Sequence, residues 1–190
     1  MKSELVDTFG RIHRSLRLSV TDRCNLRCPY CMPAREVVFL PRKEILTYEE
    51  SQVLVRAGVR LGIRKVRVTG GEPLVRRDVP RLIRGLAGID GIQDLGLTTN
   101  GYHLKEMAGA LRDAGLRRVT VSLDTLRRDR FRILGGVDGL DRVLEGVGAA
   151  REAGLSPVKI NTVLMRDIND DEILDLAGWA RELGLCLRFI

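Results

Sequence analysis

Apolar residues recur along the chain with two different periods, which alternate from one segment to the next. Stretches with a period of two predict six strands, at residues 15–21, 65–69, 94–99, 118–123, 158–164 and 185–190. Between them, stripes with a period near 3.6 predict five amphipathic helices, at residues 48–61, 79–87, 104–114, 140–153 and 171–183. This order predicts a single α/β domain over residues 1–190, with a parallel sheet and helices on its outer side.

The predicted helices carry chemical signals at their ends. Thr47 and Glu50 have the spacing of a capping box before the first helix, and Asn169 and Glu172 have that spacing before the last. Glycines follow the last helical turns, where a left-handed residue is favoured: Gly62, Gly115, Gly154 and Gly184. The longest irregular stretch is predicted at residues 33–46.

Polar residues occupy the second face of every predicted strand. Arg17, Arg67 and Lys159 have the parity opposite to the valines and leucines of their strands. A doubly wound sheet would be apolar on both faces, and a closed eight-stranded barrel would fill its interior with aliphatic side chains. The pattern therefore predicts a partial, open TIM-type barrel with a hydrated interior. The alternative is an antiparallel sheet with one solvated face, but hairpins would not need five intervening helices.

The composition narrows the classes of protein to consider. The net charge is +7, which indicates either a solvated Arg-rich surface or a small polyphosphate ligand. Aromatic residues make up 4% of the chain, too few for the stacking platforms that bind single-stranded nucleic acid. The sequence has neither a run of 18 apolar residues nor an apolar N-terminal segment. We therefore expect a cytoplasmic protein with no membrane or nucleic-acid partner.

Three of the four cysteines lie directly after the first predicted strand, where α/β barrels carry their active sites. Residues 21–31 read TDRCNLRCPYC and place Cys24, Cys28 and Cys31 in a C-x3-C-x2-C arrangement. Three thiolates can bind three irons of a cubane cluster and leave the fourth iron open. Zinc on three sulfurs is an alternative, as is an electron-transfer module, although structural zinc and electron-transfer clusters normally have four ligands. Cys186 is expected to be a packed strand residue.

This cysteine spacing, after the first strand of a six-stranded barrel, resembles the radical S-adenosylmethionine superfamily. The resemblance implies a [4Fe–4S] cluster whose open iron binds S-adenosylmethionine and, after reduction by a partner, generates a 5′-deoxyadenosyl radical. Residues 70–73 read GGEP and resemble the superfamily element that holds the amino group of this cofactor. Taken alone, they would indicate a tight turn after a strand, in which glycine lets the backbone approach a ligand closely. The resemblance implies that S-adenosylmethionine is bound by Tyr30, Gly70, Gly71, Glu72 and Ser122.

The resemblance extends over nearly the whole chain to GTP 3′,8-cyclases, the lyases that begin molybdenum-cofactor (molybdopterin) biosynthesis. It rests on the stretches DTFGR, LRLSVTDRCN, RVTGGEPLVRRD, GLTTNG, RRVTVSLD, INDDE and RFI. It implies that the substrate GTP is bound by Arg17, Arg67, Thr98 and Lys159, with Lys65 and Arg188 as further cations. The implied partners are a reductant for the cluster and the next enzyme of molybdopterin synthesis. A radical S-adenosylmethionine enzyme with another substrate, such as a peptide, is the alternative.

The resembled family also has a C-terminal segment in which three more cysteines hold a second [4Fe–4S] cluster that binds guanine. The 190 residues reach Ile190 without that segment, and Cys186 cannot replace it. We therefore expect the second cluster only in a full-length member of the family. We also expect these 190 residues to discriminate weakly between GTP and other triphosphates.

Overall fold

The computed structural model describes residues 4–32 and 37–190. Part of the irregular stretch predicted at 33–46, namely 33–36, lies outside the described residues. The six strands are β1 Ser15–Ser19, β2 Lys65–Thr69, β3 Asp94–Thr99, β4 Arg118–Ser122, β5 Val158–Thr162 and β6 Cys186–Phe189. The α-helices are α1 Tyr48–Arg60, α2 Val79–Ala87, α3 Leu104–Asp113, α4 Arg128–Gly135, α5 Leu140–Glu152 and α6 Ile173–Glu182. Short 3₁₀ turns cover Arg42–Glu44, Pro73–Val75 and Asp170–Glu172.

All six strands form one parallel sheet in the order β1-β2-β3-β4-β5-β6. Each strand therefore pairs with its neighbour in sequence, as in a barrel. Within the described part of the chain, β1 pairs with β2 alone and β6 with β5 alone, so the sheet does not close. The predicted open, partial TIM-type barrel is confirmed.

The apolar side chains of the strands form the core together with the helices. Val66, Val68 and Ile160 are at most 1% exposed and belong to the same buried cluster as Leu82 of α2 and Leu111 of α3. The opposite face of the strands carries Arg17 and Lys159, which are not buried. Burial of apolar area is the main stabilising term in folding, so it fixes which strand face turns outward to the helices and which turns inward.

The predicted helix ends are confirmed in most places. Thr47 Oγ1 accepts a hydrogen bond from the Glu50 amide at 3.1 Å, and the Glu50 carboxylate accepts one from the Thr47 amide at 2.8 Å. The glycines predicted after helices all have positive φ, between +64° and +99°. The second predicted capping box is wrong, because the Asn169 side chain makes no cap bond and Glu172 turns across to the loop after β4.

Two further sequence-based expectations are corrected. Helix α4 was not predicted, because its sequence buries only Phe131, Leu134 and Gly135 and its N-terminus has no side-chain cap. Cys186 is exposed rather than packed, because its register with Lys159 puts it on the inner, polar face of the sheet, opposite the face that packs on the helices. None of the helices in the described residues is both long and apolar enough to cross a membrane.

Candidate active site

The loop that carries the cysteines is pressed against the end of β2. The Gly71 amide donates to the Thr21 carbonyl at 2.6 Å, and the Glu72 amide donates to the Arg23 carbonyl at 2.8 Å. A Cβ on Gly70 would collide with the Thr21 carbonyl, and one on Gly71 would collide with the Arg23 carbonyl. Gly70 also has φ +146°, which favours glycine. The close approach that needs these glycines is therefore made by the cysteine loop of the same chain.

Glu72 is the polar centre of this junction. Its side chain is buried, and its carboxylate accepts bonds from the Leu74 amide at 2.8 Å, the Thr99 hydroxyl at 2.7 Å and the Asn100 amide at 2.6 Å. Burial raises the pKa of Glu72, and these three donors oppose the shift. The carboxylate thus joins the end of β2 to the end of β3.

Asn100 extends the junction to the first cysteine. Its Nδ2 lies 2.8 Å from Asn25 Oδ1 and 3.7 Å from Cys24 Sγ, which also accepts from the Leu26 amide at 3.4 Å. Hydrogen bonds to a thiolate sulfur are a known means of tuning iron–sulfur clusters. Asn100 therefore contacts Cys24 with its own side chain. Glu72 supports this contact, because it holds the Asn100 amide and its own amide donates to the Arg23 carbonyl.

The other two cysteines share one turn. The amides of Cys31 and Met32 donate to the Cys28 carbonyl at 2.9 and 2.8 Å. Cys24 and Cys28 are half-buried and Cys31 is exposed. Burial raises the pKa of the Cys24 and Cys28 thiols, the latter to about 11, and nearby carboxylates and thiols add to the effect. Across residues 4–32 and 37–190, no three His, Cys, Asp or Glu side chains converge as a metal site.

Tyr30 ties the cysteine turn to the other side of the sheet. Its hydroxyl donates to Asp124, which follows β4 and also accepts from the Val163 amide at 2.8 Å. Burial raises the pKa of both Tyr30 and Asp124. A small cavity of about 40 Å³ lies between these elements, and Cys28, Tyr30 and Ser122 are among the residues that line it. Two of the residues predicted to bind a cofactor, Tyr30 and Ser122, are thus brought together beside a cysteine.

The inner face of the sheet forms the second part of the candidate site. A cavity of about 500 Å³ lies against the beginnings of the strands, and this volume suits a small ligand. Three of the four residues predicted to bind nucleotide line it, namely Arg17, Arg67 and Lys159. Thr98 has the inward parity of β3 but does not line this cavity. The further charged residues in the lining are Lys65, Asp94, Arg118 and Arg188.

The charge of this cavity is strongly one-sided, with six cations and one carboxylate. Arg118 forms a two-bonded ion pair with Asp94, in which Nε lies 2.7 Å from Oδ1. Burial lowers the pKa of Arg67, and the neighbouring Arg118, Arg17 and Arg188 lower it further. Such repulsion between like charges is relieved when an anion lies among them.

Sequence reasoning missed four residues of the site. Asn100 and Asp124 lie in motifs quoted above, directly beyond the ends of β3 and β4, and this position at the carboxyl ends of strands was the signal available. Asp94 and Arg118 begin their strands with inward parity, so the alternation that identified Arg67 identifies them as well.

Comparison with known proteins gives one matching family model. Residues 18–180 match the model described as the Radical SAM superfamily. The chain is 52% identical to the GTP 3′,8-cyclase of Acidothermus cellulolyticus, an alignment that covers 100% of this chain and 54% of the relative. It is 51% identical to the GTP 3′,8-cyclase of Geobacter sulfurreducens, covering 98% of this chain and 57% of the relative. The chain thus spans about half the length of the curated relatives it matches.

Solved structures share the fold at lower identity. Streptococcus suis SuiB bound to S-adenosylmethionine superposes with a TM-score of 0.76 at 22% identity, covering 93% of this chain and 39% of that one. The protein anSMEcpe with bound AdoMet superposes with a TM-score of 0.74 at 18% identity, covering 93% and 49%. These two likenesses bear on the fold alone.

Proposed function

The chain belongs to the radical SAM superfamily, and from that premise we propose that it is the radical-generating part of a GTP 3′,8-cyclase. The superfamily uses S-adenosylmethionine and an iron–sulfur cluster. The proposal adds the substrate GTP and the residues that hold each group. Relatives about half identical over this whole chain, all named GTP 3′,8-cyclase, support the choice of substrate.

The donor set on the cysteine loop suits an iron–sulfur cluster. We assign Cys24, Cys28 and Cys31 as its ligands. Cys31 lies near enough to help raise the pKa of Cys24, and Cys24 and Cys31 help raise the pKa of Cys28. A cationic iron centre would oppose this effect and favour the thiolate forms. The amide groups around Cys24 supply donors to its sulfur. When bound, the cluster and S-adenosylmethionine supply the radical chemistry, and the protein's part is to place and shield the reacting atoms.

We assign the S-adenosylmethionine site to the rim around the cysteine loop. The backbone of Gly70 and Gly71 lies against that loop, and Tyr30 and Ser122 line the small cavity beside Cys28. The Glu72 carboxylate has all its close partners within the protein. Its contribution to the cofactor site is therefore to hold the backbone of residues 70–72 and 99–100 in place.

We assign the triphosphate of GTP to the cationic cavity. Arg17, Arg67 and Lys159 face it from three strands, and Lys65, Arg118 and Arg188 add to the positive charge. Guanidinium groups bind phosphate oxygens through two parallel hydrogen bonds, which fixes orientation as well as charge. Thr98 lies on the same face nearer the carboxyl ends of the strands, between the triphosphate and the cysteine loop. In this arrangement GTP spans the inner face and presents its ribose to the radical source.

One observation carries the proposal. The cysteine loop and the cationic cavity share the inner side of a single open sheet, because β1 carries Arg17 inward and then continues into the cysteines. Arg118 is paired with Asp94, and a peptide substrate would leave the other five cations of the cavity without an anionic partner. The reaction that fits transfers a hydrogen atom from the ribose C3′ to the 5′-deoxyadenosyl radical and then bonds C3′ to the purine C8. One electron from the reductant and one proton complete the closed-shell product.

The test begins with anaerobic reconstitution with iron and sulfide. We expect an oxygen-sensitive [4Fe–4S] signal by absorption and paramagnetic resonance, lost in Cys24→Ala and retained in the matched variant Cys186→Ala. Reduced protein should convert S-adenosylmethionine to 5′-deoxyadenosine. Equal loss of iron from both variants would contradict the proposal. So would a fully reduced protein that leaves S-adenosylmethionine uncleaved. Arg67→Ala should weaken GTP binding, measured by calorimetry, without removing the cluster.

A further inference from the structure

A second cationic cleft lies outside the inner face of the sheet. It has a volume of about 560 Å³ and lies between the cysteine loop, the start of α1 and the turn after β2. Four arginines line it, and none of them lines the cavity assigned to GTP: Arg23, Arg42, Arg76 and Arg77. Neither the cluster nor the nucleotide accounts for this cleft.

The geometry of the cleft does not suit a small enclosed anion. Arg76 is held by the carbonyls of Val20 at 2.5 Å and Leu46 at 2.7 Å, and it stacks on Tyr48 with 4.3 Å to the ring centre. The Arg77 side chain is 94% exposed and lies 3.3 Å from Asp78. Arg76 and Arg77 thus do not converge on one point. The four arginines outnumber Asp22, the carboxylate in the lining, so the cleft presents a positive surface.

Apolar side chains complete this surface. Val38 is 92% exposed and Leu40 is 48% exposed, and the Leu40 amide donates to Asp22 at 2.6 Å. Between them, Phe39 lies under two guanidinium groups, with Arg23 5.5 Å and Arg27 6.0 Å from its ring centre. Exposed aliphatic groups rimmed by arginine are typical of a surface that binds another protein.

We propose that this surface docks an acidic protein that carries single electrons. The proposal rests on the proposed function, in which each radical requires one electron at the cluster of Cys24, Cys28 and Cys31. Arg23 directly precedes Cys24, and the Arg27 guanidinium donates to the Cys24 carbonyl at 2.6 Å. A carrier seated here is therefore beside the cysteine loop. In the transfer the carrier is oxidised by one electron and the cluster is reduced by one, and no bond is formed or broken.

Charge decides between an acidic partner and a second copy of this chain. Two copies meeting at this face would bring their arginines together, and like charges across an interface oppose association. An acidic carrier gains from the same charges, both in affinity and in the rate of encounter.

Calorimetry with an oxidised acidic flavodoxin as the probe tests the proposal on the reconstituted protein. We expect saturable binding at 50 mM NaCl that weakens at 300 mM. The double variant Arg42→Glu with Arg77→Glu should bind roughly tenfold more weakly or worse, because two positive charges become negative. The matched control is Arg151→Glu with Arg181→Glu. It makes the same charge change in the last turns of α5 and α6, at the other end of the sheet.

Each outcome decides the question. Loss of binding in the first double variant alone, at an unchanged thermal midpoint, supports the docking surface. No binding by the wild type, equal binding by both variants, or self-association through this face in sedimentation overturns it. Cleavage of S-adenosylmethionine driven by dithionite needs no carrier. Its failure in the wild type would therefore refute the proposed function while leaving the binding result intact.

Discussion

At the scale of single residues, the cysteine loop is held by side chains from other strand ends. Asn100 reaches Cys24 and Asn25 from the end of β3, and Asp124 receives the Tyr30 hydroxyl beyond the end of β4. Both contacts depend on residues outside the cysteine motif. A loop with three thiols therefore obtains a defined shape from the sheet that carries it.

Glu72→Gln tests how far this junction stabilises the protein. The amide keeps one oxygen, but its NH2 group must face a donor that the carboxylate had accepted, since Leu74, Thr99 and Asn100 all donate. We expect a loss of about 2 kcal/mol in the free energy of unfolding, measured by urea denaturation. Glu182→Gln makes the same chemical change at an exposed position and serves as control. An unchanged midpoint in Glu72→Gln would show that the junction adds nothing to stability.

Local sequence pattern selects the residues that we place in the candidate site, but it does not select the residues that support them. Cys24 and Arg67 are recognisable from spacing and from strand parity, both of which are local. The partners of Glu72 at Thr99 and Asn100 lie 27 and 28 residues away, and they meet it because β2 and β3 pair in a particular register. Such contacts require the three-dimensional pairing and leave no local pattern.

At the scale of elements, α1 shows a helix start that both sequence and structure define. The amide of Thr47 holds the pKa of Glu50 below its ordinary value of 4.5. A carboxyl with a lowered folded pKa stabilises the protein above its unfolded pKa, and this stabilisation is lost as the pH falls through the folded value.

Two variants separate the two halves of this capping box. Thr47→Ala should cost about 1 kcal/mol of stability, because the Glu50 amide loses its acceptor. Glu50→Gln should be less stable than the wild type at pH 6, and the difference should shrink as the pH falls below 4.5. Urea unfolding across this pH range measures both. A difference for Glu50→Gln that stayed constant with pH would contradict the role given to its charge.

Helix α4 shows where local pattern is insufficient. Half of its residues are charged, and it is anchored by two large apolar side chains, Phe131 and Leu134. Arg130 of this helix is paired with Asp171 at 2.7 Å and also with buried Glu172. Glu172 has the spacing of a cap, but it is used instead by Thr125, Leu126 and Arg130. The tertiary contacts of the buried Glu172 carboxylate thus replace the capping box that the local spacing predicts.

At the scale of the whole molecule, the positive inner face sets the kind of ligand contact that these 190 residues offer. We expect the side chains that line the cavity to supply charge to a triphosphate. Contacts of this kind do not distinguish one base from another, and salt weakens them. The positive inner face is therefore suited to an anion near the beginnings of the strands, whereas the cysteine loop follows the carboxyl end of β1.

We expect the 190-residue chain to bind GTP and ATP with affinities within about threefold of each other, and both affinities to fall with salt. Calorimetry with each nucleotide at 50 and 300 mM NaCl measures this. Inorganic tripolyphosphate is the matched control, and it should compete with both nucleotides. A clear preference for GTP, or rapid cyclisation by this chain, would contradict this expectation and show that these residues recognise the guanine base.

The sequential order of the strands also affects how the chain assembles during synthesis. Each new strand pairs with the one made just before it, so the sheet can grow at a single edge as the polypeptide leaves the ribosome. β2 completes its first pairing some 50 residues after β1 begins, well before α6 has been translated. At each stage of synthesis, the strands already made can therefore form a sheet covered by their helices. Only the edge of the most recent strand awaits a partner, and the next strand to emerge pairs with it.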